Sequence, residues 1–212
     1  LLVIDEADRM LDMGFIPDIK RIMALLPAAA KRQNLLFSAT VPPDVETMAL
    51  QLLHDPVRVD VPTPQNDAAA PLVLQRAIAV DEPQRTQLLR HLMKDGGWKQ
   101  VLVFVATQYA AERLATKLHQ GEVYATAFHG GLSQGARQRT LDEFKANRWD
   151  VLVTTDLAAR GIHIEGLPVV VNFDLPRSAV DHVHRIGRTG RAGQDGLAVS
   201  FVTAASWAHW QL

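Results

Sequence analysis

The chain has 212 residues, a net charge of −1 and no cysteine, so disulfides and cysteine-based zinc sites are excluded. It contains no apolar run of about eighteen residues, so we expect no membrane-spanning helix. With 48% hydrophobic residues it can bury one large core or two smaller ones. Residues 1–75 carry 6 basic and 10 acidic side chains, whereas residues 76–212 carry 16 and 13. The second part is therefore the mildly cationic one.

The first part of the chain alternates between strand and helix patterns. We predict strands at 1–4, 33–37 and 57–61, and amphipathic helices around residues 16–26 and 43–52. The first strand ends in Asp5 and Glu6, at the edge where parallel α/β sheets bind ligands. The proline-rich stretch 62–71 has no apolar periodicity and is predicted to be a linker.

Beyond the linker the same alternation continues through a complete set of elements. We predict strands at 75–80, 101–105, 124–128, 151–153, 169–171 and 197–202. The predicted helices are one that ends near Lys94, one at 111–118, one at 133–147 and one that begins after residue 178. Asp81 and Gln84 resemble a capping box for the first of these helices. Continuous apolar strands between helices indicate an α/β fold with a parallel sheet covered on both faces.

A basic segment stands near the end of the chain. Residues 184–191 read His-Arg-Ile-Gly-Arg-Thr-Gly-Arg. If the preceding helix continues, His184, Arg188 and Arg191 lie on one face. Cationic groups in line, with glycines that permit close approach, suit a polyphosphate ligand. The alternative is a solvated basic helix end.

Adjacent carboxylates follow the first strand. Magnesium prefers hard oxygen ligands and keeps several waters, so Asp5 can hold it through water. Glu6 can orient or deprotonate an attacking water. The alternative is a charged turn, which is the commoner role of an Asp-Glu pair.

The sequence 5–8, Asp-Glu-Ala-Asp, resembles the motif that names the DEAD-box RNA helicases, and further similar segments follow over essentially the whole chain. These segments are 9–15, 38–40 (Ser-Ala-Thr), 101–107, 129–137, 154–161 and 184–191. The resemblance is closest to the bacterial, RhlE-like subgroup. It implies the C-terminal part of a helicase ATP-binding, RecA-like domain at 1–61, the linker at 62–71, and a second RecA-like, helicase C-terminal domain at 72–212.

The resemblance also implies ligands and roles. ATP and Mg²⁺ would be the cofactors, and RNA would be bound through its backbone without sequence preference. The implied roles are catalysis for Glu6, Arg188 and the arginine finger Arg191; magnesium binding through water for Asp5; nucleotide binding for Asp5, Arg160, Gly161 and His163; interdomain coupling for Asp8, Ser38, Thr40, Asp156 and His184; and RNA contact for Gly130, Arg137 and Thr155. Asp8 would bond Ser38, Thr40 and His184.

For some of these residues a purely structural role stays open. Ser38 and Thr40 can instead cap the helix after Pro42. Gly130 can be only a turn residue, and Arg137 a surface residue of an amphipathic helix.

Two departures from the family pattern qualify the resemblance. The 212 residues contain no Gly-x-x-x-x-Gly-Lys-Ser/Thr phosphate loop. The family's usual Asp, which contacts the ATP ribose, is replaced by His163. We therefore expect a C-terminal fragment of a longer helicase, itself inactive as an ATPase.

The parent protein is expected to be a cytoplasmic, monomeric, ATP-dependent RNA helicase that unwinds short duplexes by closing two RecA-like domains. One alternative is a non-catalytic RNA-binding or partner-binding module, if the 212 residues are the whole gene product. Another is a DNA-directed helicase of the same superfamily, which the pairing of Asp-Glu-Ala-Asp with Ser-Ala-Thr disfavours.

Overall fold

The computed structural model describes residues 1–28, 31–61, 73–159, 164, 166–190 and 195–211. The chain forms two compact units, Leu1–Gln65 and Asn66–Leu212. The predicted linker, 62–71, lies outside the described residues. Within the described part of the chain, no helix has the length and apolar composition needed to cross a bilayer.

Unit 1 is a small parallel sheet covered by helices. Its elements are β1 (Leu2–Ile4), α1 (Ala7–Asp12), α2 (Ile16–Ala24), β2 (Asn34–Leu36) and α3 (Pro43–Leu52). Strands β1 and β2 pair in parallel, with Ile4 opposite Leu36. The core of unit 1 consists of Ile4, Ala7, Val45, Met48 and Leu52. The predicted strands at 1–4 and 33–37 are confirmed, as are the predicted helices of this part.

Helix α1 was missing from the sequence-based prediction. It begins directly after Glu6, whose backbone is left-handed with φ 52° and ψ 47°. A left-handed residue at this point turns the chain sharply from strand into helix. Ala7, Met10 and Leu11 pack on the core at helical spacing, so a helical signal was present in the sequence.

The predicted strand at 57–61 is wrong. This segment has no strand conformation, and Val57, Val59 and Val61 are 89%, 79% and 83% exposed. The alternation of valine with polar residues is typical of a half-buried strand. Here no described strand pairs with the segment, so the alternation does not produce a ladder.

Unit 2 contains a six-stranded sheet in which every pairing is parallel. The elements are β3 (Val73–Ala79), α4 (Arg85–Asp95), β4 (Val101–Phe104), α5 (Gln108–Gln120), β5 (Ala125–Phe128), α6 (Gln134–Lys145), β6 (Val151–Thr154), α7 (Asp156–Ala159), β7 (Val169–Asn172), α8 (Ala179–Ile186), β8 (Gly196–Val202) and α9 (Trp207–Trp210). The strand order is β3-β8-β7-β4-β6-β5. The predicted parallel α/β sheet is confirmed.

Two apolar cores lie in unit 2. One joins α4 and α5 to the sheet through Leu89, Leu114, Leu118 and other buried residues. The other joins α6 and α7 to the sheet through residues such as Phe144 and Ala158. Val101, Val103 and Val105 belong to the first core, and Leu102 and Phe104 to the second. Strand β4 therefore buries both faces, as its continuous apolar sequence predicts.

One local prediction in unit 2 is wrong, and the condition set on the basic segment is not met. The Asp81 side chain makes no capping hydrogen bond; a 3₁₀ turn at Glu82–Gln84 precedes α4, and the Gln84 amide donates to the Asp81 carbonyl at 2.9 Å. Pro83 fits this first turn because proline has no backbone amide hydrogen, and amides in a first turn have no acceptor within the helix. The basic segment is not one continuous helix either. Helix α8 ends at Ile186, and Gly187 is its C-cap.

Candidate functional site

In unit 1, Asp8 is the centre of a hydrogen-bond network at the carboxyl ends of β1 and β2. Asp8 is 5% exposed, and its Oδ2 accepts bonds from the Thr40 amide at 3.0 Å and the Thr40 hydroxyl at 2.8 Å. The Asp8 amide donates to Ser38 Oγ at 3.1 Å, and that hydroxyl donates to the Thr40 carbonyl at 2.6 Å. Ser38 and Thr40 thus fix Asp8, and they do not cap α3, whose N-cap Pro42 has no side-chain hydrogen bond.

The ionised form of Asp8 is favoured in this network. Burial raises the pKa of the carboxyl, but hydrogen bonds outweigh burial and leave the pKa below its ordinary value of 3.8. The bonds that this carboxyl accepts come from the side chain and amide of Thr40 and from the Arg9 amide. Asp8 therefore acts as an anionic acceptor that holds the segment 38–40 against α1.

The two preceding carboxylates are more accessible. Asp5 is exposed, and its Oδ1 accepts the Glu6 amide at 2.9 Å. No cluster of three or more potential metal-ligating His, Cys, Asp or Glu side chains occurs among the described residues. Magnesium usually keeps several waters and binds proteins through one or two carboxylates. Asp5 with its accessible carboxylate fits that mode of binding rather than a closed protein cage.

In unit 2 a buried arginine, Arg185, ties together the carboxyl ends of three neighbouring strands. Arg185 is 2% exposed, and its side chain forms a fork with Asp156, through Nε–Oδ1 at 2.6 Å and Nη2–Oδ2 at 2.8 Å. Its Nη1 donates to Asn172 Oδ1 at 3.1 Å and to the Asp174 carbonyl at 2.7 Å. The guanidinium also lies 4.9 Å from the centre of the Phe104 ring.

Asp174 extends this network to a second arginine. Its Oδ1 accepts from Arg85 Nη1 at 2.6 Å, and its Oδ2 accepts from the Ala106 amide at 2.8 Å. Arg85 also donates to the Phe173 carbonyl at 2.9 Å. Neither Arg185 nor Arg85 was predicted as a site residue. Their partners are far along the chain, and only the fold brings them together.

The three residues predicted to contact RNA lie at one end of the sheet. Strands β5 and β6 are neighbours with Phe128 opposite Thr154, so Gly130 and Thr155 follow adjacent strand ends. Arg137, on α6, has its guanidinium 5.2 Å from the centre of the Phe128 ring. Thr155 Oγ1 accepts the Ala158 amide at 3.4 Å, so it also caps the turn into α7. The structure thus brings these three residues into one region.

The loop after β5 is held by a histidine that the sequence-based prediction missed. His129 is buried, its Nδ1 accepts the Gly131 amide at 3.2 Å, and its Nε2 lies 3.2 Å from Glu112 Oε1. A neutral ring protonated on Nε2 satisfies both contacts. The Gln108 side chain also packs on this loop, since a Cβ on Gly131 would lie 2.8 Å from Gln108 Oε1.

Helix α8 leads into the predicted phosphate-binding residues. His184 lies on the helix, whereas Arg188 lies after its end, and both are partly buried. The Arg188 carbonyl accepts the Leu167 amide at 3.1 Å, and Thr189 Oγ1 donates to the Leu167 carbonyl. Arg160, Gly161, His163 and Arg191 lie outside the described residues. The predicted contact of Asp8 with His184 stays a prediction.

Comparison with known proteins defines the class and then the family. The model of the helicase conserved C-terminal domain matches residues 84–193, and that of the DEAD/DEAH box helicases matches residues 1–48. The parallel α/β sheet with polar residues at its carboxyl edge is the RecA-like fold of helicase domains. The chain belongs to the DEAD-box helicase family, and the predicted family is confirmed.

Individual relatives agree with this assignment. The chain is 44% identical to the ATP-dependent RNA helicase RhlB of Pseudomonas syringae pv. tomato, over 95% of the chain and 50% of that protein. It is 40% identical to the ATP-dependent RNA helicase DBP2 of Eremothecium gossypii, over 97% of the chain and 37% of that protein. Dbp5 of S. cerevisiae, bound to RNA and ADP BeF3, is 34% identical with a TM-score of 0.78, covering 95% of the chain and 52% of Dbp5.

The chain spans half or less of the length of these two sequence relatives. The finer RhlE-like assignment stays a prediction, because these relatives are RhlB and DBP2.

Proposed function

We propose that this chain is part of an ATP-dependent RNA helicase, in which ATP-driven closure of two RecA-like domains separates short RNA duplexes. The observation that carries the proposal is that residues of helicase motifs are held by hydrogen bonds in both units. In unit 1 these are the bonds among Asp8, Ser38 and Thr40, and in unit 2 they are those between Arg185 and Asp156. Relatives named as ATP-dependent RNA helicases match nearly the whole chain. Residues 1–61, 62–71 and 72–212 would be the end of the ATP-binding domain, the linker and the helicase C-terminal domain.

The catalytic part of the proposal concerns the residues expected to contact the nucleotide and the attacking water. Bound ATP with Mg²⁺ supplies the phosphoryl group that is transferred to water. Asp5 would hold the ion through water, and Glu6 would orient the attacking water and accept its proton. Arg188 and Arg191 stabilise the charge that develops on the transferred group. Arg160, Gly161 and His163 would complete the nucleotide contacts.

The coupling part of the proposal concerns buried or bonded residues. Asp8, Ser38 and Thr40 hold the edge of unit 1, and Asp156 is held by Arg185. We propose that these residues, with His184, transmit the state of the nucleotide to the RNA. Such a role needs fixed positions, which bidentate and charge-assisted hydrogen bonds provide.

The RNA part of the proposal uses Gly130, Arg137 and Thr155 as backbone contacts. A glycine permits close approach of a phosphate, and Thr155 and Arg137 offer a hydroxyl and a cation. Because phosphate contacts carry no sequence information, binding should depend on salt and not on sequence. The monomeric state and the cytoplasmic location stay predictions.

The proposed function is tested with the full-length protein that contains this chain. ATP turnover is measured with and without single-stranded RNA, and with DNA of the same sequence. We expect stimulation by RNA, and loss of turnover in Glu6→Gln with nucleotide binding retained. Glu46→Gln, an exposed glutamate on α3, is the matched control and should leave turnover unchanged.

Each contrary result identifies an alternative. Absence of turnover with any nucleic acid would contradict the enzymatic proposal and favour a non-catalytic binding module. Equal stimulation by DNA and RNA would favour a helicase without RNA preference. Full turnover in Glu6→Gln would refute the assignment of Glu6.

A further inference from the structure

A groove of about 320 Å³ lies beside helix α5 in unit 2, next to the Arg85–Asp174 pair. Its walls come from the start of α4, from α5, and from the end of β7. The residues that matter here are Pro83, Arg85, Tyr109, Arg113, Lys117 and Phe173. A second depression continues along α5 past Tyr109, Arg113 and Lys117.

The groove contains two uncompensated cations. Arg85 is neutralised locally, because it bonds Asp174 at 2.6 Å and Glu82 at 3.1 Å. Arg113 and Lys117 are exposed, and neither has an ion pair or side-chain hydrogen bond with any residue that the structure describes. Their charges are therefore available to an anionic ligand.

An exposed aromatic ring lies in line with these cations. Tyr109 is 71% exposed, and Tyr109, Arg113 and Lys117 stand at i, i+4 and i+8 on α5. Residues at this spacing share one side of a helix. A single exposed aromatic residue is common on protein surfaces. An aromatic ring followed by two free cations combines the two kinds of group that bind single-stranded nucleic acid, one for base stacking and one for phosphate contact.

The groove begins where the proposed RNA contacts end. Gln108, which precedes Tyr109, packs on Gly130 and Gly131; a Cβ on Gly130 would lie 3.6 Å from Gln108 Nε2. A strand that contacts the loop 129–131 can thus continue over the first turn of α5. This continuity favours RNA over an acidic polypeptide as the occupant.

We propose that the groove binds single-stranded RNA that continues from the loop 129–131, with Tyr109 stacking on a base and Arg113 and Lys117 contacting phosphates. The inference rests on the proposed function, since it extends the RNA path of the same domain. The groove would add contacts that only an RNA extending beyond Gly130, Arg137 and Thr155 can make.

The test uses the full-length protein with a non-hydrolysable ATP analogue and fluorescently labelled oligouridylates of 5 and 12 nucleotides. Binding is followed by fluorescence anisotropy at several salt concentrations. The variants are Tyr109→Ala and the double variant Arg113→Ala/Lys117→Ala. The matched control is Lys94→Ala/Arg148→Ala, which removes two exposed positive charges elsewhere in unit 2.

For the longer RNA we expect Tyr109→Ala to weaken binding about tenfold. The double variant should reduce the slope of log affinity against log salt by about 1.4, which corresponds to two lost phosphate contacts on a single strand. The shorter RNA should bind all variants alike, and the control should match the unchanged protein. If a substitution only disturbed the fold, the slope of log affinity against log salt would stay the same, and both RNA lengths would be affected equally.

Three outcomes would overturn the inference. If the full-length protein binds no RNA, the proposed function fails together with the groove. If it binds RNA but the groove variants behave like the control, only the groove proposal fails. If poly-L-glutamate binding requires Arg113 and Lys117 while RNA binding does not, the occupant is an acidic polypeptide and not RNA.

Discussion

Replacing Arg185 with alanine should strongly destabilise unit 2. The change removes the fork to Asp156 and both bonds of Nη1, to Asn172 and to the Asp174 carbonyl. It also removes the cation that lies over the Phe104 ring. Because Arg185 and Asn172 are buried, bulk water can replace the lost contacts only at the partly exposed Asp156.

The expected loss is about 3–5 kcal/mol, the range for removing one partner of a buried ion pair. Asp156 is 24% exposed, so water partly solvates the carboxylate that remains. Asn172 is fully buried, and its side-chain oxygen would lose its bond to Arg185. This unsatisfied oxygen accounts for about 1–3 kcal/mol of the expected total. Arg185→Lys keeps the charge but not the planar fork, so it should lose less, about 1–3 kcal/mol.

The assay is urea unfolding of residues 1–212 followed by tryptophan fluorescence. The 4 tryptophans, Trp98, Trp149, Trp207 and Trp210, all lie in unit 2, so the signal reports that unit alone. Linear extrapolation gives the free energy of unfolding, and equal slopes among variants show that they expose equal surface. Arg148→Ala removes an exposed arginine and should stay within about 0.5 kcal/mol of the unchanged protein. A loss below about 1 kcal/mol for Arg185→Ala would show that the pair contributes no more than a surface salt bridge, and would refute the reasoning.

Four other predictions concern the motif residues. Because the pKa of Asp8 is lowered, its ionised form stabilises unit 1 above about pH 3.8, and this stabilisation is lost as the pH falls through the lowered pKa. The NMR chemical shift of the Thr40 amide should follow the titration of Asp8, and Asp8→Asn should abolish that pH dependence. In the full-length protein, Arg191→Ala should reduce turnover about 10³-fold with RNA affinity retained, as titration of labelled RNA would show. His163→Asp should lower the Michaelis constant for ATP about tenfold, with no such gain for 2′,3′-dideoxy-ATP. Residues 1–212 alone should hydrolyse no ATP above background, because they contain no phosphate loop.

The sheet of unit 2 was predictable because buried parallel strands have continuous apolar sequences. Strands β4, β6 and β7 were predicted to within one residue at each end. The segment 57–61 has a similar valine content but no partner strand among the described residues. A strand needs a neighbour as well as a pattern, and the neighbour is not a local property of the sequence.

Helix boundaries at the site were less predictable. The spacing of His184, Arg188 and Arg191 suggested one helix face, but α8 ends at Ile186. Gly187 was the available signal, since glycine commonly ends helices. Exposure on α8 also differs from the simplest expectation, because Val183 is 62% exposed while Arg185 is buried. The apolar spacing predicts the opposite, since apolar residues normally mark the buried face of a helix.

The candidate site therefore separates into two kinds of residue. Asp8 and Arg185 are buried, and each bonds segments distant in sequence, so each fixes the position of a loop at a sheet edge. Asp5 and Glu6, by contrast, follow β1 with their carboxylates accessible. Preorganisation requires the first kind to be rigid so that the second kind meets its ligand in the right place. Substitution of a buried anchor should then reduce stability and turnover together, whereas Glu6→Gln should reduce turnover at unchanged stability. The sequence motifs contain both the buried and the accessible residues, and only the fold shows which residue is which.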